Sequence, residues 1–599
     1  MDDRSPPSTE CTLTGATLVD VTHRRLLRAD LLVRGGVIAG IGRAGQDFPH
    51  TETRIDLTGT FLAPGLIDPH LHIESSLLSP AQFALEAVRH GTTGILADPH
   101  EIANVIGCEG IGMFLRDAET LPLDLFVGIP SCVPATPLED AGAEITAADV
   151  AALLPHPGVF GLAEMMNVPA ILHGWGEARE KVTLACDMGK LVDGHCPGLT
   201  GEDLLTYVSN GCRDGKVRIM SDHECTAPDE ALEKHRAGMT IAMRFGSAGK
   251  DLPRILPGLP QARPGAGFAE GRFMVCSDDL DPVELVEEGH MERIVREARY
   301  LLRRQGWDPE AATVEALALA TVHPGRYAAP FLRSQGHPPM GELAIGQRAN
   351  LVAFDALDSL RVMRVFHHGR MVFDGTRVVP PAALGEQETR EGVAGWNTLH
   401  LPRRFEAGDF ALRHRGREGT VDVNVIGLTD GLPTRLRKVT CPVREGEPLS
   451  PPGTSKIAVI ERHGNGGGFS VGFVDRCLAE GAVATTVSHD SHNLMVLGAD
   501  DRAMAEAVNR LGEWGGGMVA VGGEVVHLPL PLGGLMSTEN AETVARGYQA
   551  LREAVRRQGG HPNLFMRISF LALPVIPEVR ITNRGLVDVG RFDFMPLYG

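Results

Sequence analysis

The chain is short of aromatic side chains, 5 % of its 599 residues, and short of positive charge. Its 57 Lys and Arg face 76 Asp and Glu, for a formal net charge of −19. That balance excludes nucleic acid and an anionic membrane surface as main partners. No apolar run reaches the roughly 18 residues of a membrane span, so none is expected. The opening MDDRSPPSTE is polar and acidic, so no secretory signal is expected. Ten cysteines without a CxxC pair exclude a disulfide framework and read as reduced, which places the chain in the cytoplasm. HGNGGGFSVGF lacks the Lys-Ser/Thr ending of a phosphate-binding loop and reads as a turn.

What is present suits a globular protein of about two to four domains. Residues 12–43 alternate short β-rich runs with turn signals, including Gly35-Gly36, and the same texture returns at 341–376. Between them lie eight strand-like runs: GLIDPHLH, TTGILADPHE, LDLFVGIPS, VFGLAEMM, LVDGHCPG, VRIMSDHE, MTIAMRFG and FMVCSDDL. Helical stretches such as PAQFALEAVRHG alternate with them, a pattern that fits a (β/α)8 barrel better than an open sheet. The predicted fold is therefore α/β, a (β/α)8 barrel inserted in a small β-sandwich-like domain. The expected divisions are 1–64 and 331–380 for the β domain, 65–330 for the barrel, 381–400 as a linker, and 401–599 as a C-terminal α/β or α+β domain.

Ionisable residues gather at the C-terminal ends of the barrel runs, where such barrels carry their chemistry. His70 and His72 sit two apart on one strand and so share a face. By itself such a pair is a weak signal, since polar residues often end a strand. Glu164, His195, His223 and Asp278 end later runs, and each alone reads as a cap or a core histidine. Together, four histidines and two carboxylates converging on one mouth need a neutralising cation. Six donors exceed what one ion needs, and Glu164 is placed to bridge two. The expected centre is binuclear, with His70, His72, Glu164 and Asp278 at one ion and Glu164, His195 and His223 at the other. A hydroxide between two such ions is a nucleophile at neutral pH.

Around these residues the stretches PGLIDPHLHIESS, DPHEIANV, GLAEMMN, DGHCPGL, SDHE and CSDD resemble the amidohydrolase superfamily and, within it, the bacterial adenine deaminase family. SHDSHN, GGEVVHLPLPLGGLMS and PEVRITNRGLVDV extend the likeness to the C-terminal domain. The resemblance implies hydrolysis of adenine to hypoxanthine and ammonia with two divalent ions, manganese or iron first, although zinc accepts the same donors. It carries the ligand roles onto the six residues named. After His195 the chain reads CPGL, where mononuclear adenosine deaminases have an HxxE acid. The nearest rival is another binuclear amidohydrolase acting on a different aminopurine or a cyclic amide. A non-catalytic metal or purine binder is disfavoured because all six ligand positions are filled. A homo-oligomer, dimer or higher, is expected.

Adenine's C6 is a poor electrophile, so the reaction needs a base for the attacking water and an acid for the ring. Asp278 is the candidate shuttle from water to leaving amine. Asp98, His100 and Glu101 are candidates for ring protonation, against a reading as a loop network behind the histidines. Glu224 is a further candidate. Ser75 or Ser76 is expected to cap the following helix, and Glu74 to support a histidine. His489 and His492 in SHDSHN read either as a polar turn or as a closure of the site.

Overall fold

The computed structural model describes residues 10–599 apart from 44, 49–50, 52, 269, 380–397, 413–418, 430, 445–446, 449 and 467. The expected linker at 381–400 falls largely outside the described residues. Of its last residues, Leu399 is buried in a cluster with the C-terminal Leu494 and Val508.

Two small sheets open the fold. One has strands Glu10–Thr14, Asp30–Arg34, Val37–Gly42 and Arg54–Asp56, with Gly35 and Gly36 in the turn at positive φ. The other joins Thr17–Asp20, Arg25–Arg28 and Phe61–Pro64 to Leu351–Phe354, Val362–His367 and Arg370–Phe373. Phe61–Pro64 pairs antiparallel with Leu351–Phe354, so chain segments that bracket the central region close on each other. Their facing residues Leu13, Leu31, Val33, Leu62, Leu351 and Phe366 form a core of their own.

The central strands fall within the eight apolar runs. They are β1 Leu66–His72, β2 Thr92–Ala97, β3 Asp124–Ile129, β4 Val159–Met165, β5 Leu191–Gly194, β6 Ser221–Asp222, β7 Thr240–Arg244 and β8 Phe273–Cys276. β5 to β1 form one parallel sheet in the order β5-β4-β3-β2-β1, and the short strand Asp278–Asp279 adds to β1. β6, β7 and β8 form a second parallel sheet. Every residue of β1 to β4 is buried; β2 to β4 accordingly read as near-continuous apolar runs, while β1 buries Asp68, His70 and His72 among its apolar residues.

α1, Pro80–Arg89, starts later than the sequence suggests. Its cap is Ser79, whose Oγ accepts the Gln82 N–H at 3.3 Å. Neither Ser75 nor Ser76 caps it: Pro80 fixes the first helical position, and the cap is the residue before it. Ile73–Ser76 instead forms a 3₁₀ turn ended by Leu77 in the left-handed region, φ 60°.

The C-terminal part is built on a nine-stranded, largely antiparallel sheet, with helices Asp501–Trp514 and Ala541–Arg557. It lies against the C-terminal ends of the central strands. The Ser537 N–H donates to the Leu77 carbonyl at 2.8 Å, and Arg552 pairs with Asp281 at 2.7 Å. Among the described residues, no helix is long and apolar enough to cross a membrane.

Candidate metal centre

β1 delivers His70 and His72 to one side, with ring centroids 5.1 Å apart. Asp278 lies beside them because its short strand pairs in register with Leu71. Its backbone adopts φ 59°, a region that a residue with a Cβ enters only when its surroundings hold it there. The result splits its two oxygens. Oδ1 is 3.6 Å from His70 Nε2 and 3.4 Å from His72 Nε2, while Oδ2 accepts from Arg244 at 3.1 Å.

Glu164, near the end of β4, also divides its oxygens. Oε1 faces His72 Nε2 at 3.7 Å. Oε2 faces His195 Nδ1 at 2.7 Å and His223 Nε2 at 3.0 Å. His223 stacks on His70 with centroids 3.8 Å apart. Between β5 and β6 the packing is close at Gly194: a Cβ there would lie 2.3 Å from the Ser221 carbonyl oxygen, so only glycine lets β5 come this near β6. All six candidate ligands thus meet in one place, and His195, with 16 % of its side chain exposed, is the one nearest solvent.

The donor set fits divalent cations. His72 Nδ1 meets the Asp98 carbonyl at 3.0 Å, which puts the proton on Nδ1 and leaves the Nε2 lone pair facing Asp278. His70 Nδ1 faces Asp193 at 3.7 Å, and its buried Nε2 has no hydrogen-bond partner. Burial opposes a charge on His70, yet the Asp193 and Asp278 carboxylates that face its two nitrogens drive it up to about 10. Burial likewise works against ionising Glu164 and Asp278, but the surrounding histidines hold both well below the usual carboxylate range. A cluster that draws positive charge this strongly, with an orphaned imidazole nitrogen aimed inward, is built for metal.

The DPHE segment stands next to it. His100 Nδ1 is 3.1 Å from Asp98 and 3.5 Å from Glu164, and its Nε2 is 3.3 Å from Glu101. Glu101 is held between His489 and His492, which reach it from the C-terminal part. Glu224 pairs with Arg244. Glu74 accepts the Ile102 N–H at 3.2 Å, and burial with the nearby Glu101 charge pushes it up to about 8. The Ser75 hydroxyl donates to Asp279 at 2.5 Å.

Several residues in the site have no counterpart in the sequence reading. Arg244 ties Glu224, Asp251 and Asp278 together. Asp193 takes hydrogen bonds from Tyr327 and Ser221 behind His70. Both lie toward the ends of strand-like runs, so the strand-end rule that points to His195 covers them as well. Cys196 is buried, and its N–H donates to Asp222 at 2.8 Å.

Residues 61–372 match the amidohydrolase family model, and residues 432–593 match the model of the adenine deaminase C-terminal domain. An adenine deaminase of Desulfatibacillum aliphaticivorans is 39 % identical, over 98 % of this chain and 96 % of that one. Another, of Nitratidesulfovibrio vulgaris strain Hildenborough, is 40 % identical, over 97 % and 95 %. The chain belongs to the adenine deaminase family. Among solved structures, a β-aspartyl dipeptidase of Fervidobacterium islandicum is similar at 16 % identity and a TM-score of 0.44, over 62 % of this chain and 99 % of that one. The adenine deaminase family assignment makes this chain a hydrolase of the metal-dependent amidohydrolase class, and the chain carries candidate metal-binding clusters of His, Asp and Glu.

Proposed function

We propose that the chain hydrolyses adenine to hypoxanthine and ammonia, with His70, His72, Glu164, His195, His223 and Asp278 holding two divalent ions, manganese or iron. The supporting observation is the split of Glu164, one oxygen toward His72 and the other toward His195 and His223, as a carboxylate shared between two ions requires. When bound, the ions would lower the pKa of a water between them and polarise the carbon under attack.

The chain's own groups supply the rest. Asp278 takes the proton of the attacking water as the C6–O bond forms, and delivers it to the amine as the C6–N bond breaks. Its Oδ2 stays on Arg244, which keeps Oδ1 directed at the reacting side. For ring protonation, Glu101 is disfavoured because both its oxygens already accept from imidazoles. Within DPHE that leaves His100 as the donor, with Asp98 orienting its Nδ1. The proton still on the C6 hydroxyl returns to His100 as the amine leaves, which gives the 6-oxo product and regenerates the donor. Burial of the cluster excludes bulk water from the intermediate.

The two parallel sheets belong to one (β/α)8 barrel in this reading. The Met220 N–H donates to the Val192 carbonyl at 2.8 Å across the β5–β6 gap, and Asp278–Asp279 bridges β8 to β1. The barrel occupies 65–330, the small β domain 1–64 and 331–380, and the C-terminal domain 401–599. Ten cysteines without a disulfide suit the reducing cytoplasm. Ammonia release from adenine, adenosine, guanine and cytosine by metal-loaded protein tests the proposal. Turnover of another compound with none from adenine would overturn it.

A further inference from the structure

Glu101 follows β2, but the groups that fix it come from 388 and 391 residues further along the chain. His489 Nδ1 lies 2.5 Å from Oε1, and His492 Nε2 contacts Oε2. All three side chains are buried. Their spacing is that of a metal site.

The hydrogen bonding of His492 argues for a different use. Its Nδ1 accepts the Ser488 N–H at 3.1 Å, so the lone pair is there and the proton of the neutral ring is on Nε2. A protonated nitrogen does not ligate a cation; it donates, here to Glu101. The His489 ring is fixed separately, stacked on Phe570 at 4.2 Å and 7°. His492 sits at φ 52°, which turns its ring back onto its own loop.

We propose that His489 and His492 are positioning residues of the C-terminal domain that clamp both oxygens of Glu101, and through it set the place of His100 beside Glu164. The route is short. His100 Nε2 is 3.3 Å from Glu101 Oε1, and its Nδ1 is 3.5 Å from Glu164 Oε1. Asp490, between the two clamping histidines, faces the same His100 nitrogen at 3.7 Å. The clamp gives the C-terminal domain a part in the reaction without a group on the substrate. It deepens the deamination reading above and depends on that reading only for the choice of substrate.

The two rings use different nitrogens, which gives a selective test. A glutamine amide reaches the place of Nε2, and an asparagine amide the place of Nδ1. H492Q and H489N are therefore expected to keep most of kcat. H492N, which suits the left-handed backbone but is too short, and H489Q, whose amide lies past Nδ1, are expected to lose about 10- to 100-fold in kcat with KM little changed. Metal content per chain should equal the parent's in all four. In an E101Q background the difference between H492N and H492Q should vanish, which a merely structural role for the loop would not produce.

Equal activity of H492N and H492Q overturns the clamp. Loss of a metal equivalent from any His489 or His492 variant overturns it too, in favour of a cation at this cluster. If the parent releases no ammonia from adenine, the deamination reading fails, and the same ranking is measured on whichever compound it does turn over.

Discussion

Lys234 and Asp222 pair at 3.0 Å with neither side chain exposed to solvent. Lys234 Nζ also donates to the Cys196 carbonyl at 2.6 Å, and Asp222 accepts the Cys196 N–H. Asp222 precedes His223, and Cys196 follows His195, so one ion pair fixes the backbone beside two candidate ligands. Lys234→Met leaves Asp222 buried without its counter-charge. The expected loss is about 3–5 kcal/mol, read by denaturant unfolding. A change under about 1 kcal/mol would refute the brace.

Arg244 holds Asp278 Oδ2, Glu224 and Asp251 at once. Arg244→Gln is expected to lower kcat about 10- to 100-fold while metal content stays near the parent's. Arg244→Lys should rescue little, because a single ammonium cannot reproduce the planar fork that serves three carboxylates. Full activity in the lysine variant would show that charge alone suffices.

Asp278→Asn keeps an oxygen for metal but removes the proposed base. Turnover should fall by about 10²- to 10⁴-fold with much of the metal retained. Steady-state kinetics with metal analysis on the same sample separates the two effects. Loss of metal in proportion to activity would assign Asp278 a ligand role alone.

His90, away from the metal cluster, lies 2.8 Å from Glu292 and 3.2 Å from Glu86. Burial opposes its charge, but the two carboxylates outweigh burial and raise it to about 9. A histidine raised on folding adds stability in full below its unfolded value near 6.5, and that stability fades as pH rises through about 9. Roughly 2–3 kcal/mol is therefore expected to disappear between pH 6 and pH 10. His90→Asn should flatten the curve across that window. Parallel pH profiles would contradict the assignment.

The eight central strands are legible in the sequence because burial on both faces leaves unbroken apolar runs such as DLFVGI, in which polar strand ends stand out. His70 and His72 announce themselves by a spacing of two, the period of a strand. Lys234 and Tyr327 do not. Their partners Asp222 and Asp193 lie 12 and 134 residues away, and no local periodicity encodes contacts of that kind. The cap of α1 is misread from sequence because Ser75, Ser76 and Ser79 offer the same hydroxyl, and the decision lies with Pro80. SHDSHN reads either as a polar turn before the strand LMVLG or as a closure of the site; the chain turns there, and which distant residue it meets, Glu101, is set by packing that the stretch itself does not encode.

The bond between Glu101 and His489 also sets a schedule. At about 5–20 residues per second, a ribosome needs roughly 20–80 s to pass from one to the other. Asp278, the last of the six candidate ligands, is made well before His489, so the central strands carry their full candidate ligand set before the imidazoles that hold Glu101 exist. Chains that stop between residue 400 and His489 should therefore keep the six candidate ligands yet lack the clamp on Glu101, and their turnover should fall at least as far as that of H492N.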